Sequence, residues 1–445
     1  MKQKTYSIVL QLMNSTLSER KYPDVLIGEA FKKEELSPEE KALVVEMVYG
    51  LLRHMGRIDH IIGKASSAVI SSLHLNTLNI LRMCTYQAVF KETSPAGIVN
   101  NAVALVSSYD KGRFTGFVKR TVEAVIRNKN SVIFPDKEKD LMEYISIYHS
   151  HPNWIVEKWS REFNDINAVE ALCASNNLEP PLTIRANPLK TDRDRLKELL
   201  KDEGYDTSAT PFSSYGLFVR EKEGIFKTDA FRKGLFEVQD EGSQLITLLT
   251  GAKQGEFIVD ACAGNGGKSL FLSGLMKNTG TILAFETHIG KLGNLRRRAG
   301  RAGATNIKTS ADLRDMENCA ADCVFIDAPC SGMGVFRRNP DAKWRSRERD
   351  VLELAEKQKS ILREYRRPVK PGGRLVYATC TISREENEDV VRDFLEENGD
   401  FSIVPVTEMD PAIFSRFSTG DGFFKSFPHI HNTDGFFGAV MKRSI

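Results

Sequence analysis

Two cysteines follow apolar runs, at positions where a β-strand would end. Cys330 lies in Asp327-Ala-Pro-Cys-Ser-Gly332, directly after Cys323-Val-Phe-Ile. Cys380 lies in Thr379-Cys-Thr381, directly after Leu375-Val-Tyr-Ala. A single cysteine in such a place is best read as a small buried hydrophobe. Two that end neighbouring strands, one of them three residues from Asp327, point instead to nucleophilic chemistry at a shared crevice.

A second set of residues suits a nucleoside ligand. Phe257-Ile-Val-Asp-Ala261 reads as a strand and runs into the loop Cys262-Ala263-Gly264-Asn265-Gly266-Gly267-Lys268. Glycines at 264, 266 and 267 let backbone approach a ligand. A helix beginning after Lys268 would aim free amide groups at it. Such a loop serves a dinucleotide equally well. Thr281–Phe285 is the next strand and ends at Glu286, 18 residues past Lys268. A carboxylate at that place accepts both hydroxyls of a ribose. Asn306–Ser310 ends before Asp312, which either hydrogen-bonds an adenine amino group or caps the next helix.

The elements that must position these residues alternate between strand and helix from about residue 244 onward. Helices are expected after Lys268, after Glu286 (a basic one carrying Lys291, Arg296, Arg297, Arg298 and Arg301), at 347–369 and from 385, and strands at 323–327, 374–378, 403–406 and 435–442. That alternation predicts a doubly wound sheet with functional loops at the carboxyl ends of its strands. Glu385-Glu-Asn-Glu388 reads as the acidic first turn of a helix. His429 and His431 have no evident third ligand, so no metal site is expected and both read as surface or RNA-contacting residues. Cys319 and Cys323 likewise read as structural. Residues 333–372 hold twelve Lys or Arg against six Asp or Glu. This local excess suits a polyanionic substrate or a solvated helix face.

The chain has 445 residues, too many for one ordinary core, so two or three domains are expected. Residues 1–135 read as a helical domain of five to seven helices, one opening at the capping box Ser37-Pro-Glu-Glu40. Lys111, Arg113, Lys119 and Arg120 are its candidate RNA contacts. Residues 136–235 read as a helical linker followed by a small α/β module that suits RNA. The polar stretch Phe236–Ser243 reads as a hinge or lid. Residues 236–445 form the catalytic domain. No apolar run approaches the roughly 20 residues that span a bilayer, and the basic start reads as an amphipathic helix rather than a signal peptide. Seven cysteines, an odd number, argue for free thiols in a reducing compartment. A cytoplasmic monomer is expected.

These motifs resemble the RsmB/Sun-type RNA 5-methylcytosine methyltransferases. Asp327-Ala-Pro-Cys-Ser-Gly332, Asn339-Pro-Asp-Ala-Lys-Trp344 and Ala378-Thr-Cys-Thr381 carry the resemblance most specifically. His151-Pro-Asn-Trp154, Ile184-Arg-Ala-Asn187, Val238-Gln-Asp-Glu-Gly-Ser243 and Thr433-Asp-Gly-Phe-Phe437 extend it over nearly the whole chain. The family's cofactor loop usually reads Cys-Ala-Ala-Pro-Gly-Gly-Lys-Thr. Here Gly264-Asn265 replaces Ala-Pro, and Glu286 stands where Asp is common.

The resemblance implies an all-α NusB-like amino-terminal domain, an α/β RNA-binding module and a Rossmann-like class I methyltransferase domain. It implies methylation of carbon 5 of a cytosine in RNA, with 16S rRNA favoured over tRNA. S-adenosylmethionine would lie along 262–268, Glu286, Asp312 and Asp327. Cys380 would add to carbon 6 of the base, Asp327 would hydrogen-bond the ring nitrogen, and Cys330 would assist release. Two other readings stay open at this point. One is an amino-group methyltransferase of the same fold, and the other an RNA-binding ribosome-assembly factor with weak or lost activity.

Overall fold

A computed structural model describes residues 2–66, 68–91, 93–110, 112–317 and 319–445. Lys111 lies outside the described residues. The chain forms two compact units, one of residues 1–178 with 336–346 and the other of 179–335 with 347–445.

The first unit is helical. Its first 128 residues hold six α-helices among the described residues: Lys2–Glu19, Pro23–Lys33, Pro38–Ala65, Leu75–Phe90, Pro95–Asp110 and Thr115–Asn128. The capping box forms as expected, with the Ser37 hydroxyl accepting from the Glu40 amide and the Glu40 carboxylate accepting from the Ser37 amide. Behind it Val44, Met47, Val48, Leu51 and Leu52 are buried on one face. Three shorter helices follow, Leu141–Tyr148, Asn153–Phe163 and Ile166–Asn176.

A late stretch of the chain completes this unit. Lys343 is fully buried, and its ammonium donates to the carbonyls of Arg53 and Ser150, both at 2.9 Å, and to Asn177 Oδ1 at 3.1 Å. The Trp344 indole donates to the Leu52 carbonyl at 2.6 Å, and Phe336 packs near His151 and Trp159. Arg337 is also buried. The basic excess counted over 333–372 is therefore only partly a surface, because two of its cations lie in a core.

The second unit contains two sheets. The smaller has strands β1 (Leu182–Ala186), β2 (Thr207–Ala209), β3 (Gly216–Val219) and β4 (Phe236–Val238), antiparallel in the order β2-β3-β1-β4. Helix Arg193–Asp202 buries Leu196 and Leu200 in a core with Ile184, Ala186, Leu217 and Phe236. Strand β4 corrects the reading of 236–243 as a hinge or lid. Its polar look comes from Glu237, which is buried between the guanidinium groups of Arg298 and Arg301. A buried acid with two cationic partners is compatible with a strand, but in sequence it reads as a turn.

The larger sheet has strands β5 (Phe257–Asp260), β6 (Thr281–Phe285), β7 (Ile307–Ser310), β8 (Ala321–Asp327), β9 (Val369–Thr379), β10 (Phe401–Val404), β11 (Phe424–Ser426) and β12 (Phe436–Arg443). Their order is β10-β12-β9-β8-β5-β6-β7, with β11 against β12. Strands β5 to β9 run parallel, and β12 is antiparallel between β9 and β10. Strand order reverses between β5 and β8, so a crevice opens beyond the carboxyl ends of these two strands. Near-continuous apolar runs such as Val324-Phe-Ile326 fit strands covered on both faces. No helix among the described residues is long and apolar enough to cross a membrane.

Candidate active site

Each candidate residue sits at or just beyond a strand end. β5 ends in Asp260 and turns through Ala261–Gly266 into helix Gly267–Leu275. Gly266 has φ +82°, and a Cβ there would lie 2.4 Å from Leu295 Cγ, so glycine is required. Gly264 has φ +54°, and nothing lies within 4 Å of where its Cβ would stand. The loop backbone is therefore open to a ligand at that point.

Neighbouring side chains hold the loop from outside. Arg298 donates to the Asn265 carbonyl at 2.8 Å and Arg185 to the Gly267 carbonyl at 3.0 Å. Arg185 is buried, lies over the Phe271 ring at 4.3 Å, and is pushed down to about 9 by burial. The small sheet thus braces the glycine loop through β1. The quoted motif Ile184-Arg-Ala-Asn187 marked this residue, but its target was not legible from sequence.

Glu286, beyond β6, is buried, and its Oε2 accepts from the Gly264 amide at 3.1 Å. Its Oε1 accepts from the His288 amide at 2.9 Å. Asp312, beyond β7, is more exposed and chelates Arg314, whose guanidinium holds the carboxyl down at about 2. Since the Glu286 amide donates to the Ser310 carbonyl, these two acids end adjacent strands on the β5 side of the crevice. The Cys262 thiol is pushed up by burial and by nearby carboxylates, which favours its neutral form.

The candidate reacting groups lie on the β8 side. Asp327 ends β8 and its Oδ2 accepts from Lys268 Nζ at 2.5 Å. Burial alone would lower the Lys268 ammonium, but the charge of Asp327 outweighs it and holds the proton more tightly than usual, with Cys380 adding to the effect. In the β8–β9 register Asp327 stands opposite Ala378, which places Cys330 and Cys380 on adjacent turns. Their sulfurs are 3.3 Å apart. The hydrogen bond that the Cys330 thiol donates to the Cys380 sulfur, with burial and the charge of Glu386 added, raises Cys330 well above an ordinary thiol.

Glu386 was missed as a site residue. The acidic run read as a helix start, and Glu388 does open helix Glu388–Glu397. Glu386 itself lies in a single 3₁₀ turn, Arg384–Glu386, and is fully buried. Its Oε1 accepts from the Ser331 amide and from Gln358 Nε2, both at 2.9 Å, and its Oε2 from the Ser331 hydroxyl at 2.5 Å. Asp260 was also passed over. His431, read as a surface residue, packs on Phe417 and accepts the Phe427 amide at 3.0 Å, which gives it a structural role.

The family model of the 16S rRNA methyltransferase RsmB/F matches residues 247–442. The NusB family matches 3–127, and the RsmF/B-like ferredoxin-like domain matches 151–225. A probable ribosomal RNA small subunit methyltransferase B of Bacillus subtilis strain 168 is 31% identical over 98% of both chains. The chain belongs to the RsmB/F family of RNA methyltransferases. A protein of the same description from Synechocystis is also 31% identical, covering 95% of this chain and 96% of its own. The crystal structure of PH0851 superposes over 99% of both chains with a TM-score of 0.80 at 26% identity. A methyltransferase homologue from Pyrococcus horikoshii is 26% identical with a TM-score of 0.59, covering 68% of this chain and 99% of its own. As a member of the family, the chain is an S-adenosylmethionine-dependent methyltransferase with an RNA substrate. Its residues fit that donor: an open glycine loop, a carboxylate at the second strand end and a further acid at the third.

Proposed function

We propose that this protein methylates carbon 5 of a cytosine in small-subunit ribosomal RNA through a covalent Cys380 adduct. The observation that carries this reading is the pair of thiols 3.3 Å apart beside the Lys268–Asp327 ion pair. The 16S target follows the names of the relatives. We assign RNA binding to residues 1–135 and 136–235, and methyl transfer to 236–445 apart from β4, which belongs to the small sheet, and 336–346, which belong to the helical unit. We infer a location in the reducing cytoplasm, since all seven cysteines are free thiols, and we propose a monomer.

S-adenosylmethionine supplies the electrophilic methyl group, and 262–268, Glu286, Asp312 and Asp327 are the residues to hold it. Carbon 5 of cytosine is a weak nucleophile. The Cys380 thiolate adds to carbon 6, and the ring becomes an enamine whose carbon 5 would take the donor's methyl group, with S-adenosylhomocysteine leaving. Since Lys268 occupies Asp327 Oδ2, Oδ1 is the atom to meet the ring nitrogen and stabilise the adduct. After transfer the carbon 5 proton passes to the Cys330 thiolate. Its electron pair forms the 5,6 double bond, and the carbon 6–sulfur bond breaks with its electrons on Cys380.

A denaturing gel of full-length protein with labelled, unmodified small-subunit rRNA tests the roles. Cys380→Ala should abolish methyl transfer and form no adduct. Cys330→Ala should accumulate an adduct that the double variant lacks. A persistent adduct in Cys380→Ala would transfer the nucleophile to Cys330 and sink the assignment.

A further inference from the structure

Glu386 joins the two cysteine loops from behind. Its carboxylate takes both the amide and the hydroxyl of Ser331, the residue after Cys330. The same Ser331 hydroxyl lies 2.8 Å from the hydroxyl of Thr381, the residue after Cys380. Gln358 Nε2 bonds Glu386 and also the carbonyl of Pro329, the residue before Cys330, at 2.9 Å. Both flanks of Cys330 and one flank of Cys380 are thus fastened to one carboxylate. The turn carrying Glu386 is itself fixed, because the buried Tyr377 hydroxyl of β9 donates to the Glu386 carbonyl at 2.6 Å. Every hydrogen bond to the carboxylate comes from a neutral donor, and among the described residues no Lys or Arg is paired with it. Burying an acid without a cation is costly, and the network of donors offsets that cost.

We propose that Glu386 is a positioning residue for the second half of the reaction, holding Cys330 where it can take the carbon 5 proton and free Cys380. This rests on the covalent mechanism above. Glu386 acts through Ser331 and through its charge, and does not touch the base. The titratable groups facing Cys330 are Tyr377 on β9, Cys380 just beyond it and Glu386 on the 3₁₀ turn, with the Lys268–Asp327 pair beyond Cys380. The Glu386 charge opposes ionisation of Cys330, which makes the thiolate, once formed, a stronger base.

The test separates adduct formation from adduct release. Full-length protein, S-adenosylmethionine and labelled small-subunit rRNA transcript are followed on denaturing gels across pH. In the unaltered protein, release should speed up as pH rises and Cys330 ionises. Glu386→Ala should leave formation nearly unchanged and slow release by about a hundredfold, the effect of a small misplacement of a reacting group. Glu386→Gln keeps the shape, removes the charge, and should shift the pH dependence of release down by about one unit. Ser331→Ala keeps the amide contact and should slow release less than Glu386→Ala. Unchanged S-adenosylmethionine binding by calorimetry confirms that each variant is folded. If formation and release fall together and the pH dependence stays in place, Glu386 is a structural residue and the proposal is overturned. If Cys330→Ala forms an adduct and the Glu386 variants release normally, the proposal alone fails. If no variant forms an adduct, the covalent mechanism fails and takes the proposal with it.

Discussion

Asp260 ends β5 fully buried, with its Oδ2 accepting the Ser269 hydroxyl at 2.6 Å. Burial pushes its carboxyl up from 3.8 to about 6, and the charge of Asp327 adds to this against the Ser269 hydrogen bond. A raised acid favours folding fully below its unfolded value, and that contribution disappears as pH rises through about 6. Asp260 therefore costs stability at neutral pH, on the order of 3 kcal/mol at most. Asp260→Asn should melt close to the unaltered protein at pH 4 and above it at pH 7. A melting difference that does not widen between those pH values would refute this. Sequence made the acids at 286, 312 and 327 legible because each ends a predicted strand and meets a loop. Asp260 and Glu386 were not legible, since burial rather than residue type gives them their character. Lys268 is the complementary case. Lys268→Met leaves the half-buried Asp327 without its cation and weakens the field at Cys380, so methyl transfer should fall by at least about a hundredfold in a labelled-methyl assay.

The glycine loop between β5 and its helix shows how one element can carry two different constraints. Gly264 and Gly266 both have positive φ, but only Gly266 is closed in by a neighbour. Gly264→Ala should cost about 1 kcal/mol of backbone strain. Gly266→Ala must also displace Leu295 and should cost about 3 kcal/mol. Urea denaturation of the two variants tests the order, and equal losses would contradict it. The parallel strands were legible because apolar runs stop abruptly at small or acidic residues. Strand β4 was not, since its central Glu237 is paid for by Arg298 and Arg301, which lie about sixty residues further along the chain. β9 is longer than expected because it continues back through Pro371-Gly-Gly373, residues that normally mark a turn.

Across the whole molecule, sequence order and spatial order part company at 336–346. Lys343 reads as one more cation in a basic stretch, yet burial pushes its ammonium down to about 7 from 10.5. A lowered lysine loses its contribution to stability as pH falls toward the folded value. The unaltered protein should therefore gain on Lys343→Met as pH rises from 7 to 9.5 in thermal melts, and a flat difference would count against a buried, depressed ammonium. The acceptors that hold Lys343 were made far earlier, at Arg53, Ser150 and Asn177. This fixes a sequence of events at the ribosome. The helical unit cannot finish its core when its own 178 residues have emerged, because its last pieces are still untranslated. It must wait, partly open, until residue 346 clears the exit tunnel, by which time strands β1 to β8 have already been made. A nascent chain stalled before residue 336 should thus expose its helices to protease, and one stalled well past 346 should protect them.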